Sequence, residues 1–496
     1  MATATTEAPA AGDFFSGETW AGKIFSAGWI DAPVTIDITE PATGETLGTA
    51  GAGDPASVAA AAASAAKAQP EWAATTFLER GAVLRRAASF LERELPAITE
   101  WMVRETGSLR SKSEFEVMRA IDQVHQAAAL VVQPMGHTVP SWTPGRTSVA
   151  RRVPVGVAGV ITPWNFPLVL GMRSVAPALA VGNAVVLKSD PNSPVSGGVV
   201  IARAFEEAGL PPGVLHVLSG GAEVGEAIVT DPNVSMVSFT GSSRVGKRVG
   251  ELAGARLKPA VLELGGNSPL IVLRDADIEA ASSAAAWGAF LHAGQICMAV
   301  SRVLVDETIA EEYVSALAER AGRLRAGNPA TEEVALGPII NEKQMQRVER
   351  IVGDSVAQGA SVHAGGNRNG PFYPPTVLAD VTPSMPVYAE EIFGPVAPVT
   401  TFTEEDEAIE LANGTGYGLA AAVQSRSHER AARVAERLRA GMVHVNDQTV
   451  NEESPAPFGG FGISGNGGHF GGVANLEVFT KWQWLTSREQ AAPFPF

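Results

Sequence analysis

Residues 155–188 read VGVAGVITPWNFPLVLGMRSVAPALAVGNAVVLK, and the two apolar runs that bracket this stretch, VGVAGVI and NAVVLK, set the reading of the fold. Each is short, rich in valine and nearly free of polar residues, as a strand is when both its faces are covered. Three similar runs follow: GVLHVLS (213–219), VSMVSFT (234–240) and AVLEL (260–264). Helix-length segments such as SPVSGGVVIARAFEEAGL and SSRVGKRVGELAG separate them. This alternation predicts an α/β fold built on a doubly wound parallel sheet of Rossmann type, a nucleotide-binding architecture. It does not predict a membrane span. Between Val153 and Leu187 the apolar stretch is broken by Pro154, Pro163, Asn165, Pro167, Arg173 and Pro177, which leaves no clean run of ~20 residues.

Ligands of such sheets bind beyond the carboxyl ends of the strands. There the sequence places Thr162-Pro163-Trp164-Asn165, Lys188, Ser219-Gly220, Thr240-Gly241-Ser242 and Glu263-Leu264-Gly265-Gly266. In SFTGSSRVG, Ser242 or Ser243 can cap a helix whose backbone N–H groups suit a phosphate, or the segment is an ordinary strand-to-helix turn. Lys188 lies where a nucleotide ribose would sit, unless it merely extends off a strand end. Asn165 can be a rigid amide donor to a developing oxyanion, or only satisfy its own turn. Glu263 ends an apolar strand, where desolvation raises its pKa toward that of a general base unless it reaches water.

On the amino-terminal side, about 130 residues read as mostly helical, with Asp54 as N-cap and Pro55 as first helical residue of an alanine-rich helix. Phe77, Leu78, Val83, Leu84 and Leu91 continue the helical spacing. On the carboxyl-terminal side a second α/β region begins after Leu264. Strand-like SPLIVL, SRVLVD, APVTTF, GLAAAVQS and GMVHVN alternate there with helices at 277–287, 404–413 and 428–439. The glycine-rich FGGFGISGNGGHFGG (458–472) reads as a packed loop, because phenylalanines punctuate it.

Composition limits the partners. With 37 basic and 53 acidic residues, the formal charge of −16 repels nucleic acid and anionic membranes. The start, MATATTEAPAAGDFF, has neither a basic n-region nor an apolar core, and a single cysteine excludes an intramolecular disulfide, so a cytoplasmic protein is expected. No metal site is expected. That cysteine, Cys297 in HAGQICMAVSR, reads two ways. Flanking Ile296 and Met298 favour an inert buried residue; the preceding Gly294 and Gln295 favour a loop meeting a helix N-terminus, where a thiolate is stabilised. His292, five residues away, does not face it on a helix, which disfavours a Cys–His hydrolase.

Taken together, ITPWNFP, VVLK, FTGSSRVG, LELGGNSP, GQIC, EEIFGPV and PFGGFGISG resemble the NAD(P)-dependent aldehyde dehydrogenase superfamily over nearly the whole chain. Within it, NFPLVLGMRSVAPALAVGNAVVLKSDPN, HVNDQTVNEESPAPFGGFGISGNGGHFGG and EVFTKWQW are most similar to the benzaldehyde and vanillin dehydrogenases. The resemblance implies a cofactor-binding domain at 1–130 and 151–263 and a catalytic domain at 264–470. An oligomerisation arm at 131–150 and 471–496 would make a homodimer or homotetramer. It implies Cys297 as nucleophile, Asn165 as oxyanion donor and Glu263 as the base that hydrolyses a thioester. For NAD or NADP it implies Thr162, Pro163, Trp164, Lys188, Ser189, Asp190, Gly241, Ser242, Gly246, Leu264, Glu391 and Phe393. Phe166, Val169, Leu170, Arg173, Ile296, Met298, Val450 and Phe458 would line the aldehyde pocket.

NAD-preferring relatives often read Lys-Pro-Ser-Glu where this chain reads Lys188-Ser189-Asp190-Pro191. Loss of that carboxylate leaves room for a 2′-phosphate, so NADP is expected beside NAD unless Asp190 takes the same space. The mostly apolar pocket suits a flat uncharged ring. Arg173, at a position often aromatic in relatives, meets either a ring substituent or a structural ion-pair partner. Competing readings are an aliphatic or semialdehyde substrate, a coenzyme A-acylating enzyme, which typically lacks the glutamate base, and a non-catalytic binding protein on the same fold.

Overall fold

The computed structural model describes residues 17–496. The five apolar runs become the strands Val157–Ile161, Ala184–Ser189, Leu215–Ser219, Met236–Thr240 and Ala260–Glu263, all parallel. Numbered one to five along the chain, they lie in the order 5-4-1-2-3. The order reverses between Val157–Ile161 and Met236–Thr240, so the crevice of a doubly wound sheet opens beyond these two strand ends. Helices cover both faces, and every residue of the strands Val157–Ile161 and Leu215–Ser219 is buried.

The amino-terminal region departs from the helical expectation. Lys23–Ser26, Trp29–Asp31, Val34–Thr39 and Thr46–Ala52 are strands that extend this sheet beyond Leu215–Ser219. Their runs are short, and TLGTAGA lacks the β-branched density that marks a strand, so pairing rather than local preference decides them. The helices begin where expected: Asp54 caps Pro55–Ala74 by accepting the N–H of Ser57, and a Thr76/Glu79 capping box opens Phe77–Thr106.

A second sheet of seven strands runs Ser361–Ala364, Thr376–Ala379, Val396–Phe402, Val300–Asp306, Ser268–Val272, Ala420–Gln424, Met442–Val445, and only its first pair is antiparallel. It has its own hydrophobic core, including Leu270, Val303, Tyr313, Val348 and Phe402. Thr480–Ser487, Thr147–Pro154 and Gly136–Thr138 form a separate antiparallel sheet. The glycine-rich loop is packed: Phe458 pairs with Phe470 through an isolated bridge, and both rings are buried.

Candidate active site

Loop 162–166 leaves the strand Val157–Ile161 at the reversal point of the first sheet. It is held by a buried ion pair. Lys112 Nζ donates to the Asn165 carbonyl at 2.8 Å and to Glu116 Oε2 at 2.6 Å, and it stands 4.0 Å over the Phe166 ring. Glu116 Oε1 accepts the N–H groups of Leu168 (2.9 Å) and Val169 (3.3 Å), so a carboxylate caps the helix Pro167–Ala180 at its positive end. Burial pulls the Lys112 ammonium below its usual range, and Glu116 opposes that shift. Sequence reading missed this pair, whose only signal is an i,i+4 spacing common on solvated helices. Thus anchored, Asn165 is 4% exposed and its Nδ2 donates to the Gln295 carbonyl at 2.9 Å, reaching the loop that carries the cysteine.

That second loop follows the helix Ile278–Phe290 and is held differently. His292, Ala293 and Gly294 all have positive φ, at 50°, 53° and 68°. Any side chain at Gly294 would lie 2.1 Å from the Gly394 carbonyl oxygen, so only glycine fits. Gln295, fully buried, donates through Nε2 to the carbonyls of His292 (3.3 Å) and Pro338 (3.2 Å) and accepts the Ile340 N–H (3.0 Å). The chain then passes Cys297 and enters the strand Val300–Asp306. This corrects one expectation: no helix begins at Cys297, so no helix dipole stabilises its thiolate. Burial pushes the thiol up to about 12; Arg173 acts against the shift, and Glu391, Glu263 and Glu452 add to it. His292 directs its ring to the Asn165 backbone and the edge of Phe166, and burial holds it neutral.

Glu263 ends its strand 2% exposed, with neither carboxyl oxygen hydrogen-bonded among the described residues. Desolvation lifts its pKa well above the carboxylate range, and Arg173 partly offsets this. The glycine-rich loop seals it from behind, for Leu264 N–H donates to the Ser464 carbonyl at 2.9 Å and Glu263 bridges Gly465.

The remaining strand ends form a polar edge. Thr162 is buried with its N–H on the Lys188 carbonyl, Pro163 and Trp164 follow it, and the Trp164 ring meets Phe393 edge-on at 5.6 Å. Lys188 is 6% exposed, and burial lowers its pKa against the opposing charges of Asp190 and Glu223. Asp190 Oδ1 accepts the N–H (3.0 Å) and Nδ2 (2.7 Å) of Asn192, which ties it into its own turn. Ser242 caps the helix Ser243–Gly254 after Gly241; within that helix a Cβ at Gly246 would lie 2.2 Å from Leu264 Cδ2. Glu391 accepts the Gly266 N–H at 3.2 Å and burial pushes it up to about 7. Gln344 and Arg347, absent from the sequence reading, fasten this region by donating to the carbonyls of Phe393 (2.9 Å) and Glu391 (2.6 Å). The Ser189, Ser219 and Ser243 hydroxyls are buried here without a partner among the described residues. An edge of orphaned hydroxyls, a desolvated ammonium and a capped helix N-terminus fits a dinucleotide carrying hydroxyls and phosphates.

Around Cys297, the residues Phe166, Ile296, Met298, Val450 and Phe458 form one apolar cluster with Leu291, Ala299, Leu419, Ala420 and Met442. Val169 and Leu170 are buried on the helix Pro167–Ala180 and lie outside that cluster. Arg173, on the same helix, pairs with Glu452 at 2.5 Å and lies 4.0 Å over the Phe458 ring.

Comparison with known proteins agrees with this geometry. Residues 29–485 match the aldehyde dehydrogenase family. The chain is similar to a vanillin dehydrogenase of Amycolatopsis sp., 52% identical over 97% of this chain and 100% of that one. It is also similar to an NAD(+) benzaldehyde dehydrogenase of Pseudomonas putida, 50% identical over 96% and 98%. The crystal structure of a salicylaldehyde dehydrogenase from Pseudomonas putida G7, complexed with salicylaldehyde, superposes with a TM-score of 0.92 at 36% identity, covering 96% of this chain and 99% of that one. A family match over residues 29–485 and relatives at 50–52% identity over nearly the full length show it: the chain belongs to the aldehyde dehydrogenase family.

Proposed function

We propose that this protein oxidises an aromatic aldehyde of the benzaldehyde or vanillin type to its carboxylic acid with NAD or NADP. The observation that carries this reading is the apolar cluster of Phe166, Ile296, Met298, Val450 and Phe458 around Cys297, within reach of Asn165. Such a lining takes a flat ring by area burial and edge contacts. The relatives named for vanillin, benzaldehyde and salicylaldehyde support it.

The Cys297 thiol gives up its proton to solvent as its sulfur attacks the aldehyde carbon, which leaves a thiohemiacetal oxyanion. One Asn165 Nδ2 hydrogen is committed to the Gln295 carbonyl, which aims the second at the oxygen where negative charge develops. A nicotinamide held at this edge would accept the hydride. As the C–H bond of the thiohemiacetal breaks, its oxygen re-forms a carbonyl and leaves a thioester on Cys297. Glu263, when ionised, then takes a proton from water as its oxygen attacks the thioester; the C–S bond breaks and Glu263 returns the proton to the departing sulfur, releasing acid and thiol. A carboxyl without a fixed partner is suited to this, since no hydrogen bond must break before it accepts a proton. The same residue favours water over coenzyme A as acyl acceptor.

Lys188, Ser189, Asp190, Thr162, Pro163, Trp164, Gly241, Ser242, Gly246, Leu264, Glu391 and Phe393 would hold the dinucleotide. With Pro191 in place of a carboxylate and Asp190 tied to Asn192, space remains for a 2′-phosphate. We assign residues 1–130 and 151–263 to the cofactor domain, of which 1–16 lie outside the described residues, 264–470 to the catalytic domain, and 131–150 and 471–496, with the antiparallel sheet, to an arm. Its strand Thr480–Ser487 leaves Trp482 and Trp484 exposed by 51% and 67%, a surface suited to a second subunit of a cytoplasmic homodimer or tetramer.

The test is NAD(P)H formation, by absorbance, from benzaldehyde without coenzyme A, with NAD and NADP assayed separately beside Cys297→Ala. Reduction that vanishes in the variant is expected. Reduction only with straight-chain aldehydes, or only with added coenzyme A, would overturn the substrate or the acyl acceptor.

A further inference from the structure

The Arg173–Glu452 pair is built more elaborately than an ion pair requires. Arg173 is 5% exposed, and its Nη2 is spent on Glu452. Glu452 Oε1 in turn accepts Gln123 Nε2 at 3.1 Å. Two atoms of this chain of contacts are left over: Arg173 Nη1, a donor, and Gln123 Oε1, an acceptor, are both buried and without a partner among the described residues. They line one recess with Glu452, Ser454 and Phe458, and its free space is about 20 Å³. That is the room of one water molecule or one hydroxyl group. Unsatisfied buried polar groups cost stability, so a donor and an acceptor orphaned around one hydroxyl-sized hole point to a ligand atom that satisfies them.

The recess adjoins the reacting centre. Phe458 forms one of its walls and also belongs to the apolar cluster around Cys297. The Arg173 charge acts on both Cys297 and Glu263, so the guanidinium lies within electrostatic range of them.

Resting on the aromatic aldehyde reading, we propose that Arg173 selects the substrate by donating Nη1–H to a phenolic oxygen on its ring, with Gln123 Oε1 accepting the phenolic proton. The preferred substrates are therefore hydroxybenzaldehydes rather than benzaldehyde. A planar guanidinium held from one side by a carboxylate and laid on Phe458 presents its free edge with little freedom left to lose. A methyl group of the same size finds neither partner and strands both.

The test compares kcat/KM for benzaldehyde with that for its 2-, 3- and 4-hydroxy and matching methyl derivatives, in wild type, Arg173→Lys, Arg173→Met and Arg173→Met/Glu452→Gln. The double variant avoids stranding the carboxylate and carries the test if the single one does not fold. In wild type one hydroxy isomer is expected to exceed its methyl counterpart by roughly tenfold or more, mostly through KM. Arg173→Met brings that ratio to about one, whereas Arg173→Lys, which keeps the charge but not the planar fork, loses part of it; each ratio is taken within one variant, so a change in overall rate cancels. A ratio near one in wild type, or one unchanged in both methionine variants, would overturn the proposal and leave the recess to a structural water. Failure of wild type to oxidise any benzaldehyde, while straight-chain aldehydes react, would instead overturn the aromatic reading itself.

Discussion

The two loops that meet between Asn165 and Cys297 are fixed by different physics. Loop 162–166, on the first sheet, hangs on buried charge: Lys112 grips the Asn165 carbonyl, and Glu116 caps the next helix. Glu105 does the same nearby, its two oxygens accepting the N–H groups of Val195 (2.8 Å) and Ser196 (2.7 Å). Loop 291–297, on the second sheet, has no such charge. A neutral amide, Gln295, and three consecutive residues with positive φ shape it. The charged side holds the Asn165 amide in one orientation. The neutral side leaves Cys297 in a dry environment that pushes its thiol up to about 12.

The largest effect that would break this contrast concerns the thiol. With Cys297 pushed up to about 12, its alkylation in the cofactor-free protein should accelerate about tenfold per pH unit, roughly a thousandfold from pH 7 to 10. A plateau near pH 8, in stopped iodoacetamide reactions read by mass spectrometry, would mean that the second side does stabilise the thiolate. Next comes Lys112→Met, which strands Glu116 in the interior. It should cost about 3–5 kcal/mol of stability and lower kcat by about a hundredfold in the molecules that remain folded, as read by denaturant titration and steady-state kinetics. A kcat within twofold of wild type would show that the ion pair does not position Asn165.

Gln295→Ala removes the partners of the Ile340 N–H and the Pro338 carbonyl and should cost about 2–3 kcal/mol, a smaller loss because no charge is stranded. The smallest effect is a pH dependence confined to the charged side. Burial raises Glu105 to about 7, so the folded state holds its proton more tightly than the unfolded chain does. Its contribution to stability is therefore fully present below about pH 4.5 and is lost as pH rises toward 7. The melting temperature should fall by about two to four degrees between pH 5 and 8, and Glu105→Gln should flatten that fall. An undiminished slope in the variant would assign the pH dependence to other groups.

Much of the fold was legible because fully buried parallel strands leave uninterrupted apolar runs, and all five from Val157 to Glu263 appear as strands where the runs lie. The amino-terminal strands were not legible, since edge pairing recruits alanine- and glycine-rich segments without β preference. Site residues that sit at strand ends, such as Asn165, Lys188 and Glu263, declared themselves by being polar where a strand stops. Those that act from the side did not: Lys112, Glu116, Gln344 and Arg347 lie on helices where charged and amide residues are ordinary.

The sequence by itself determined the sheet, the family and the residues at the strand ends, because local patterning and short motifs are properties of the chain. Only the tertiary structure decided that Cys297 meets a strand rather than a helix and that Arg173 pairs with Glu452 beside a hydroxyl-sized recess. Only there, too, does a salt bridge from a distant helix aim Asn165. Burial and electrostatic fields arise from groups far apart in sequence, and they exist only once those groups have been brought into contact.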